Sequence, residues 1–156
     1  RQMCIRDSPY LILTRGLRRR LKGQRRQGVD IEILTNSLAS TDVPLVYGAY
    51  RRHRPWLERQ GVNLFELTTE AFSLHAKLIL MGKEEALLGS FNLDPRSLML
   101  NTELMLHLHS PRLCDELQQL IDGWLQQAVH PVAASPSAWR RLLAQLSDWL
   151  PLHRWL

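Results

Sequence analysis

The order of apolar and polar residues predicts alternating strands and helices along the first third of the chain. Residues 10–14 form a short apolar run, and residues 29–34 alternate apolar with acidic side chains; both patterns are typical of strands. Between them, Leu17 and Leu21 lie four residues apart in a basic segment that ends near Gly28, a common helix stop. This part of the chain therefore predicts a β-α-β unit.

The same patterns continue towards the C-terminus. They predict a helical region broken at Pro55, a strand that follows Gly61, a strand hairpin, and a helix that begins at Ser110 and Pro111. The predicted elements are a helical region at residues 44–60, strands at 62–67, 74–81, 86–89 and 102–109, and a helix with apolar positions Leu113, Leu117, Leu120, Ile121, Trp124 and Leu125. We predict an α/β fold in which a mixed β-sheet is flanked by helices, an α/β/α sandwich.

Both ends of the chain are predicted to lie outside this domain. Residues 1–8, RQMCIRDS, resemble one reading frame of a transposase adapter used to prepare sequencing libraries, so we expect an artefact there and a fragment beginning near residue 9. We expect the domain at 9–130, a Pro/Ser/Ala-rich linker at 131–138 and an amphipathic helix at 139–156. The apolar stripe of that helix either caps the core, which we favour, or lies in a membrane interface.

Charge, cysteine content and histidine spacing indicate which partners, disulfides and metal sites to expect. The net charge is +5, and arginine and lysine cluster at residues 15–26 and 51–59. Such clusters attract anionic lipid head groups or nucleic acid, although solvated helix faces explain them equally well. Aromatic residues do not interleave with the first cluster, which argues against single-stranded nucleic acid. Cys4 and Cys114 make no disulfide framework, and the six histidines lack metal-site spacing, so we expect neither cofactor nor metal.

The candidate chemistry lies between His75 and Asn92. Side chains two residues apart on a strand share a face, so a strand over 74–81 would place His75 and Lys77 on one side. The same alternation would pair Ser90 with Asn92, just after Gly89. A basic pair beside a polar pair, both backed by apolar residues, indicates an oxyanion or phosphate site.

This spacing resembles the HKD motif of the phospholipase D superfamily: His-x-Lys, four residues, Asp, six residues, then Gly-Ser-x-Asn. The chain fits each position except the Asp, which is replaced by Gly82. GSFNLDPRS and LNTE at residues 89–97 and 100–103 are similar to bacterial cardiolipin synthases of this type. LTNSLASTDVPLVYGAY at 34–50 is similar to the segment that precedes the second HKD motif in one branch of that family. The resemblance runs from about residue 8 to the C-terminus and implies a single phospholipase D-type catalytic domain, the second of two.

The resemblance also implies roles for individual residues. One HKD histidine, usually that of the first domain, attacks phosphorus to form a phosphohistidine, and His75 would be the general acid/base. Lys77 and Asn92 would hold phosphate oxygens, Ser90 would support them or orient the histidine, and Glu103 would fix the tautomer of a catalytic imidazole. Loss of the Asp at Gly82 is expected to affect rigidity more than chemistry. Candidate substrate-binding residues are Gly89, Asn36, Ser37, Asp42, Tyr50 and Arg96; turn chemistry or helix packing is the competing explanation for Asn36, Ser37, Asp42 and Tyr50.

The function expected from this resemblance is that of a cardiolipin synthase-like phosphatidyltransferase fragment. Its substrate would be a phospholipid, phosphatidylglycerol or phosphatidylethanolamine, at the cytoplasmic surface of the cell membrane. Its active site would need a missing N-terminal HKD half or a second copy. The alternatives are a phospholipase D-like hydrolase or nuclease, and a membrane-binding module with a degenerate HKD motif. Nucleic acid is the less expected partner.

Overall fold

The structure is a computed structural model that describes the backbone of residues 2–6, residues 11–131, and positions 139, 142 and 145. Within this part of the chain, seven strands form one mixed sheet in the order β6-β5-β4-β1-β2-β3-β7. The strands are β1 Gln2–Arg6, β2 Asp30–Asn36, β3 Asn63–Leu67, β4 Leu78–Met81, β5 Glu85–Gly89, β6 Met105–His109 and β7 Ala128–Val129. The helices are α1 Arg15–Arg26, α2 Pro44–Arg51, α3 Arg54–Arg59, α4 Pro95–Met99 and α5 Pro111–Leu125.

Helices cover both faces of the sheet, which confirms the predicted α/β/α sandwich. On one face, Ile31 and Ile33 of β2 pack against Leu21 of α1 and Leu57 of α3. On the other face, α5 packs onto the β4–β5 hairpin in a cluster of Leu78, Leu80, Ala86, Cys114 and Ile121. Successive side chains of a strand point to opposite faces of the sheet, so the apolar residues of one strand contribute to the hydrophobic clusters on both faces.

The first β-α-β unit forms, but its first strand is not the predicted one. β1 is Gln2–Arg6, and it pairs in parallel with β2 and antiparallel with β4. The apolar run expected as a strand is instead a buried connection at residues 11–14, where the Ile12 N–H donates to the Leu93 carbonyl at 2.9 Å. An apolar run of this length satisfies burial in either conformation, which is why periodicity alone misassigned it.

The helical breaks fall close to the predicted places. α2 ends at Arg51 and α3 begins at Arg54, so that Pro55 occupies the first turn of α3, where its missing N–H costs no hydrogen bond. α5 begins after Ser110, whose hydroxyl accepts a hydrogen bond from the Leu113 N–H at 3.3 Å.

Two predicted strands are shorter than expected. Residues 72–77 and 102–104 are not strand, and β4 and β6 begin only at Leu78 and Met105. Sheet pairing decides this difference, because β4 pairs with β1 and β5 only from Leu78 onward. The side chains before these strands are therefore carried by loops at one edge of the sheet.

Residues 2–6, expected outside the domain, form β1 between β4 and β2 of its sheet. The assignment of residues 1–8 to an adapter and the C-terminal linker and helix stay predictions. Most of the expected linker and C-terminal helix, residues 132–156, lies outside the described residues, apart from positions 139, 142 and 145. Trp139 and Leu142 of its expected apolar stripe are helical and exposed. None of the helices in the described ranges has the length and apolar character needed to cross a membrane.

Candidate active site

The polar residues singled out by sequence gather at one edge of the sheet. β1, β2 and β3 are parallel and end at this edge, whereas β4 is antiparallel to β1 and therefore begins there. β5 returns to the same edge at Gly89, and β6 leaves it at Met105. Lys77 precedes β4 and Ser90 follows β5, so the topology brings the two halves of the motif together.

An open cleft of about 640 Å³ lies at this edge. It contains five residues that sequence placed in the catalytic set and one, Gly89, that it placed among the substrate-binding residues. It also contains two residues that sequence reasoning missed, Asn101 and Thr102, although both lie in the LNTE block. The cleft is lined by His75, Lys77, Gly89, Ser90, Asn92, Asn101, Thr102 and Glu103.

His75 and Lys77 line the cleft in different environments. His75 is exposed, whereas Lys77 is only 7% exposed. The Lys77 ammonium donates to the backbone carbonyl of His75 at 3.0 Å, so the lysine also holds the backbone of the histidine. Both residues reach the cleft as predicted, but from a loop and not from the predicted strand.

Ser90, Asn101 and Glu103 form one hydrogen-bond network in the lining of the cleft. The Ser90 hydroxyl donates to Glu103 Oε2 and accepts from the Leu104 N–H at 3.0 Å. The Asn101 amide donates to Glu103 Oε1 at 3.0 Å. The single Ser90 proton is thus directed to the carboxylate, and each Glu103 oxygen accepts from one of these partners. The expected role of Glu103 towards a catalytic imidazole stays a prediction. These hydrogen bonds lower the pKa of the Glu103 carboxyl, and the hydrogen bond from Ser90 has the largest effect.

Gly89 is required by close packing of the backbone. A Cβ at this position would lie 2.1 Å from the Leu104 carbonyl oxygen and 2.9 Å from the Met105 Cα. Because backbone atoms cannot move aside like a flexible side chain, only glycine lets β5 approach this segment. The approach brings Ser90 within reach of Leu104 and Glu103.

Asn92 is followed by a buried cap that ends the cleft loop. Asp94, two residues after Asn92, is the N-cap of α4, and its Oδ1 accepts from the Ser97 N–H at 2.7 Å. Asp94 is buried, and burial raises the pKa of its carboxyl. The cap fixes the exit of the chain from the cleft.

Asn36 lies beneath the cleft and does not line it. It is 2% exposed, and its amide pairs with both backbone groups of Leu74, the residue before His75. The hydroxyl of Ser37 accepts from the Ala39 and Ser40 N–H groups and so closes a buried turn. Ser37 therefore has the role that turn chemistry predicts. Asn36, at the end of β2, instead holds the backbone of the loop that carries His75.

The remaining candidate substrate residues are also apart from the cleft lining. Tyr50 is 1% exposed, and its hydroxyl donates to Glu66 Oε1 at 2.9 Å. Glu66 also accepts from Tyr47 at 3.3 Å and pairs with Arg54 at 3.5 Å, forming a buried polar cluster between α2, α3 and β3. Burial raises the pKa of Tyr47 to about 12 and raises those of Tyr50 and Glu66.

Asp42 and Arg96 are exposed loop and helix positions outside the cleft lining.

The position of the missing motif aspartate is at the far end of β4. Gly82 lies in the turn between β4 and β5, with a φ of +69°, at the sheet edge opposite the cleft. This placement agrees with a structural role for the position. Within the described ranges, no group of three His, Cys, Asp or Glu side chains is arranged to hold a metal ion.

Comparison with known proteins decides the family. Residues 4–124 match the family model described as cardiolipin synthase, PLD-like domain. The chain belongs to the phospholipase D superfamily, as a cardiolipin synthase-like domain. Membership in this superfamily supports a phosphodiesterase or phosphotransferase kind of enzyme.

Individual relatives agree with this assignment. Cardiolipin synthase C of Escherichia coli is 32% identical over 192 residues, covering 96% of this chain and 40% of that protein. The chain spans only 27% to 40% of the length of the curated relatives it matches.

Solved structures share the fold. The phosphatidylserine synthase of Haemophilus influenzae superposes with a TM-score of 0.71 at 16% identity, covering 96% of this chain and 40% of that one. Nuc of Salmonella typhimurium, a phospholipase D family member, superposes with a TM-score of 0.69 at 17% identity, covering 85% and 82%.

Proposed function

We propose that this domain supplies one wall of the active site of a cardiolipin synthase-like phosphatidyltransferase. The observation that carries the proposal is Lys77, a nearly buried cation in the wall of an open polar cleft beside an exposed histidine. An ammonium in this position attracts an anionic phosphodiester that enters the cleft, and the attraction is strong because the lysine is largely removed from water.

The proposed reaction uses two histidines. A histidine from another HKD half, or from a second copy, attacks phosphorus, and the bond from phosphorus to the leaving glycerol oxygen breaks. His75, as imidazolium, gives its proton to that oxygen. Neutral His75 then takes the proton of the incoming alcohol, whose oxygen attacks phosphorus and displaces the first histidine. Lys77 and Asn92 stabilise the negative charge of the phosphoryl oxygens.

In this proposal the hydrogen-bond network of Ser90, Asn101 and Glu103 gives Ser90 and Glu103 supporting roles. The Ser90 proton is committed to Glu103, so the hydroxyl orients the carboxylate and donates no hydrogen bond to phosphate. An ionised Glu103 in the cleft lining would favour the protonated form of an approaching imidazole. The similarity to cardiolipin synthases supports a phospholipid substrate, which we propose to be phosphatidylglycerol or phosphatidylethanolamine, bound by a protein peripheral to the membrane.

The second candidate is hydrolysis with water as the acceptor, on lipid or nucleic acid. Its support is the shared fold with Nuc, most of whose length the chain covers. The cleft chemistry is the same for either acceptor, so products must separate the two candidates.

The test uses this chain alone and joined to a first HKD half, with phosphatidylglycerol vesicles and supercoiled plasmid as parallel substrates. We expect cardiolipin by thin-layer chromatography only when a second HKD histidine is present. His75→Ala and Lys77→Met should abolish it, whereas His109→Ala and Lys83→Met, exposed positions outside the cleft, should not. Nicked plasmid without cardiolipin would establish the nuclease instead. Robust turnover by strictly monomeric chain would overturn the two-histidine mechanism.

A further inference from the structure

A second cleft, of about 470 Å³, lies at the N-terminus of α1. Its walls carry a concentration of basic side chains drawn from separate segments of the chain. The basic residues in its lining are Arg15, Arg18, Arg52 and His53, and Thr14 and Pro95 also line it. Arg15 and Arg52 are exposed, and Arg18 is half-buried.

This basic cleft lies at the same sheet edge as the catalytic cleft. α1 follows β1, which ends at that edge, so α1 begins there. The Ile12 N–H donates to the Leu93 carbonyl, which joins the segment before α1 to the residue after Asn92. Pro95, three residues beyond Asn92, lines the basic cleft. The short segment 92–95 therefore separates the two clefts.

The electrostatics of the basic cleft favour an anion. Arg15 and Arg18 belong to the first turn of α1, a 12-residue helix whose first turn contains no acidic residue, and Arg52 lines the same cleft from the end of α2. Backbone N–H groups at a helix N-terminus and guanidinium groups are the common donors to phosphate. The Thr14 hydroxyl caps only one of these amides, that of Leu17, at 3.2 Å.

Arg18 is held in place before any ligand arrives. Its guanidinium carbon lies 5.3 Å from the centre of the Trp56 ring, and its Nη2 donates to His53 Nδ1. Its Nε is buried and has no hydrogen-bond partner within the described part of the chain. Trp56 and His53 therefore hold the Arg18 guanidinium in one orientation at the wall of the basic cleft before an anion binds.

We propose that Arg15, Arg18 and Arg52 form a second anion site, which binds the phosphate group of a glycerophosphate head group. Naming a lipid head group as the ligand rests on the proposed function. In the proposed cardiolipin-forming reaction the alcohol that receives the phosphatidyl group is itself a glycerophospholipid, so the enzyme holds a second phosphate-bearing molecule besides the one being cleaved. The basic cleft holds the phosphate of the second molecule beside the catalytic cleft.

Side-chain and backbone NMR of the intact chain tests this site directly. The probes are inorganic phosphate and glycerophosphoglycerol, the head group without its acyl chains. Both should shift the Arg18 Nε–H resonance and the amides of residues 14–17, and should do so equally in Lys77→Met. Arg15→Gln combined with Arg52→Gln should weaken this binding about tenfold or more, since each guanidinium contributes charge-assisted hydrogen bonds.

The control removes the same charge elsewhere on α1. Arg19→Gln with Arg26→Gln changes two exposed arginines that do not line the basic cleft, and affinity should stay within about twofold. Arg15→Gln alone keeps the test valid if the Arg52 change impairs folding. Shifts confined to residues 89–92, or an equal loss in the control, would overturn the site.

Comparison of the two probes identifies the source of the phosphate. Tighter binding of glycerophosphoglycerol supports a lipid head group, whereas equal affinity would overturn that assignment and leave a site for free phosphate. The titration does not depend on turnover. A failure of lipid exchange in the activity assay is therefore distinguishable from a failure of anion binding here.

Discussion

The side-chain amide of Asn36 is paired with both backbone groups of Leu74. Nδ2 donates to the Leu74 carbonyl at 2.9 Å, and Oδ1 accepts from the Leu74 N–H at 2.9 Å. Leu74 is buried and immediately precedes His75. In this way the end of β2 fixes a non-strand segment from which the histidine and the lysine enter the cleft.

Asn36→Ala should impair both stability and activity. The change leaves the N–H and C=O of Leu74 buried without partners, at roughly 1–3 kcal/mol for each group. The released loop should also lower turnover, because His75 loses its fixed position. Chemical denaturation and lipid-exchange rates measure the two effects. Asn63→Ala, an exposed asparagine at the start of β3, serves as the control and should change neither.

Restoring the motif aspartate with Gly82→Asp should lower stability without improving catalysis. At a φ of +69° a residue with a Cβ is strained by about 1 kcal/mol, although no atom blocks the Cβ within 4 Å. The turn lies at the sheet edge opposite the cleft, so turnover should be unchanged. Gly82→Asn separates backbone strain from charge in a denaturation series. A rise in turnover on Gly82→Asp alone would assign this position a chemical role.

Two glycine-to-alanine changes should have opposite effects on stability. Gly89→Ala forces a Cβ against the Leu104 carbonyl and should destabilise the fold by roughly 1–3 kcal/mol while disturbing the Ser90 network. Gly123→Ala lies within α5, with no atom within 4 Å of the new Cβ, and should stabilise it by up to about 1 kcal/mol. Thermal or denaturant unfolding measures both. Similar effects from the two substitutions would contradict the packing at Gly89.

Stability should depend on pH through Glu66. Burial is the largest influence on its carboxyl and raises the pKa above 4.5, while Arg54 opposes the rise. Between 4.5 and the raised pKa the folded state binds more protons than the unfolded state, so this group lowers stability as pH increases. Glu66→Gln should remove that slope in unfolding free energies measured across pH. The exposed Glu70→Gln should keep it.

Local patterns were sufficient for much of the fold and for the main site residues. The helix cap at Ser110, the helical break before Pro55 and the hairpin turn at Gly82 follow from side-chain and backbone preferences that act within a few residues. The spacing of His75, Lys77, Ser90 and Asn92 groups residues that line one cleft in the structure, and their catalytic roles stay predictions. The resemblance predicted the superfamily, which the family match confirmed.

Long-range pairing decided what local pattern could not. Whether an apolar run becomes a strand depends on a hydrogen-bonding neighbour, so residues 11–14 and 74–77 remained loops while Gln2–Arg6 formed β1. Asn36 finds its partner 38 residues away, and the basic cleft joins α1 to the start of α3 and α4. The sequence by itself determined the helix caps and breaks and the chemistry of the motif, because these depend on neighbouring residues. The tertiary structure alone decided which side chains position the site and which arginines converge beside it, because only folding brings distant segments into contact.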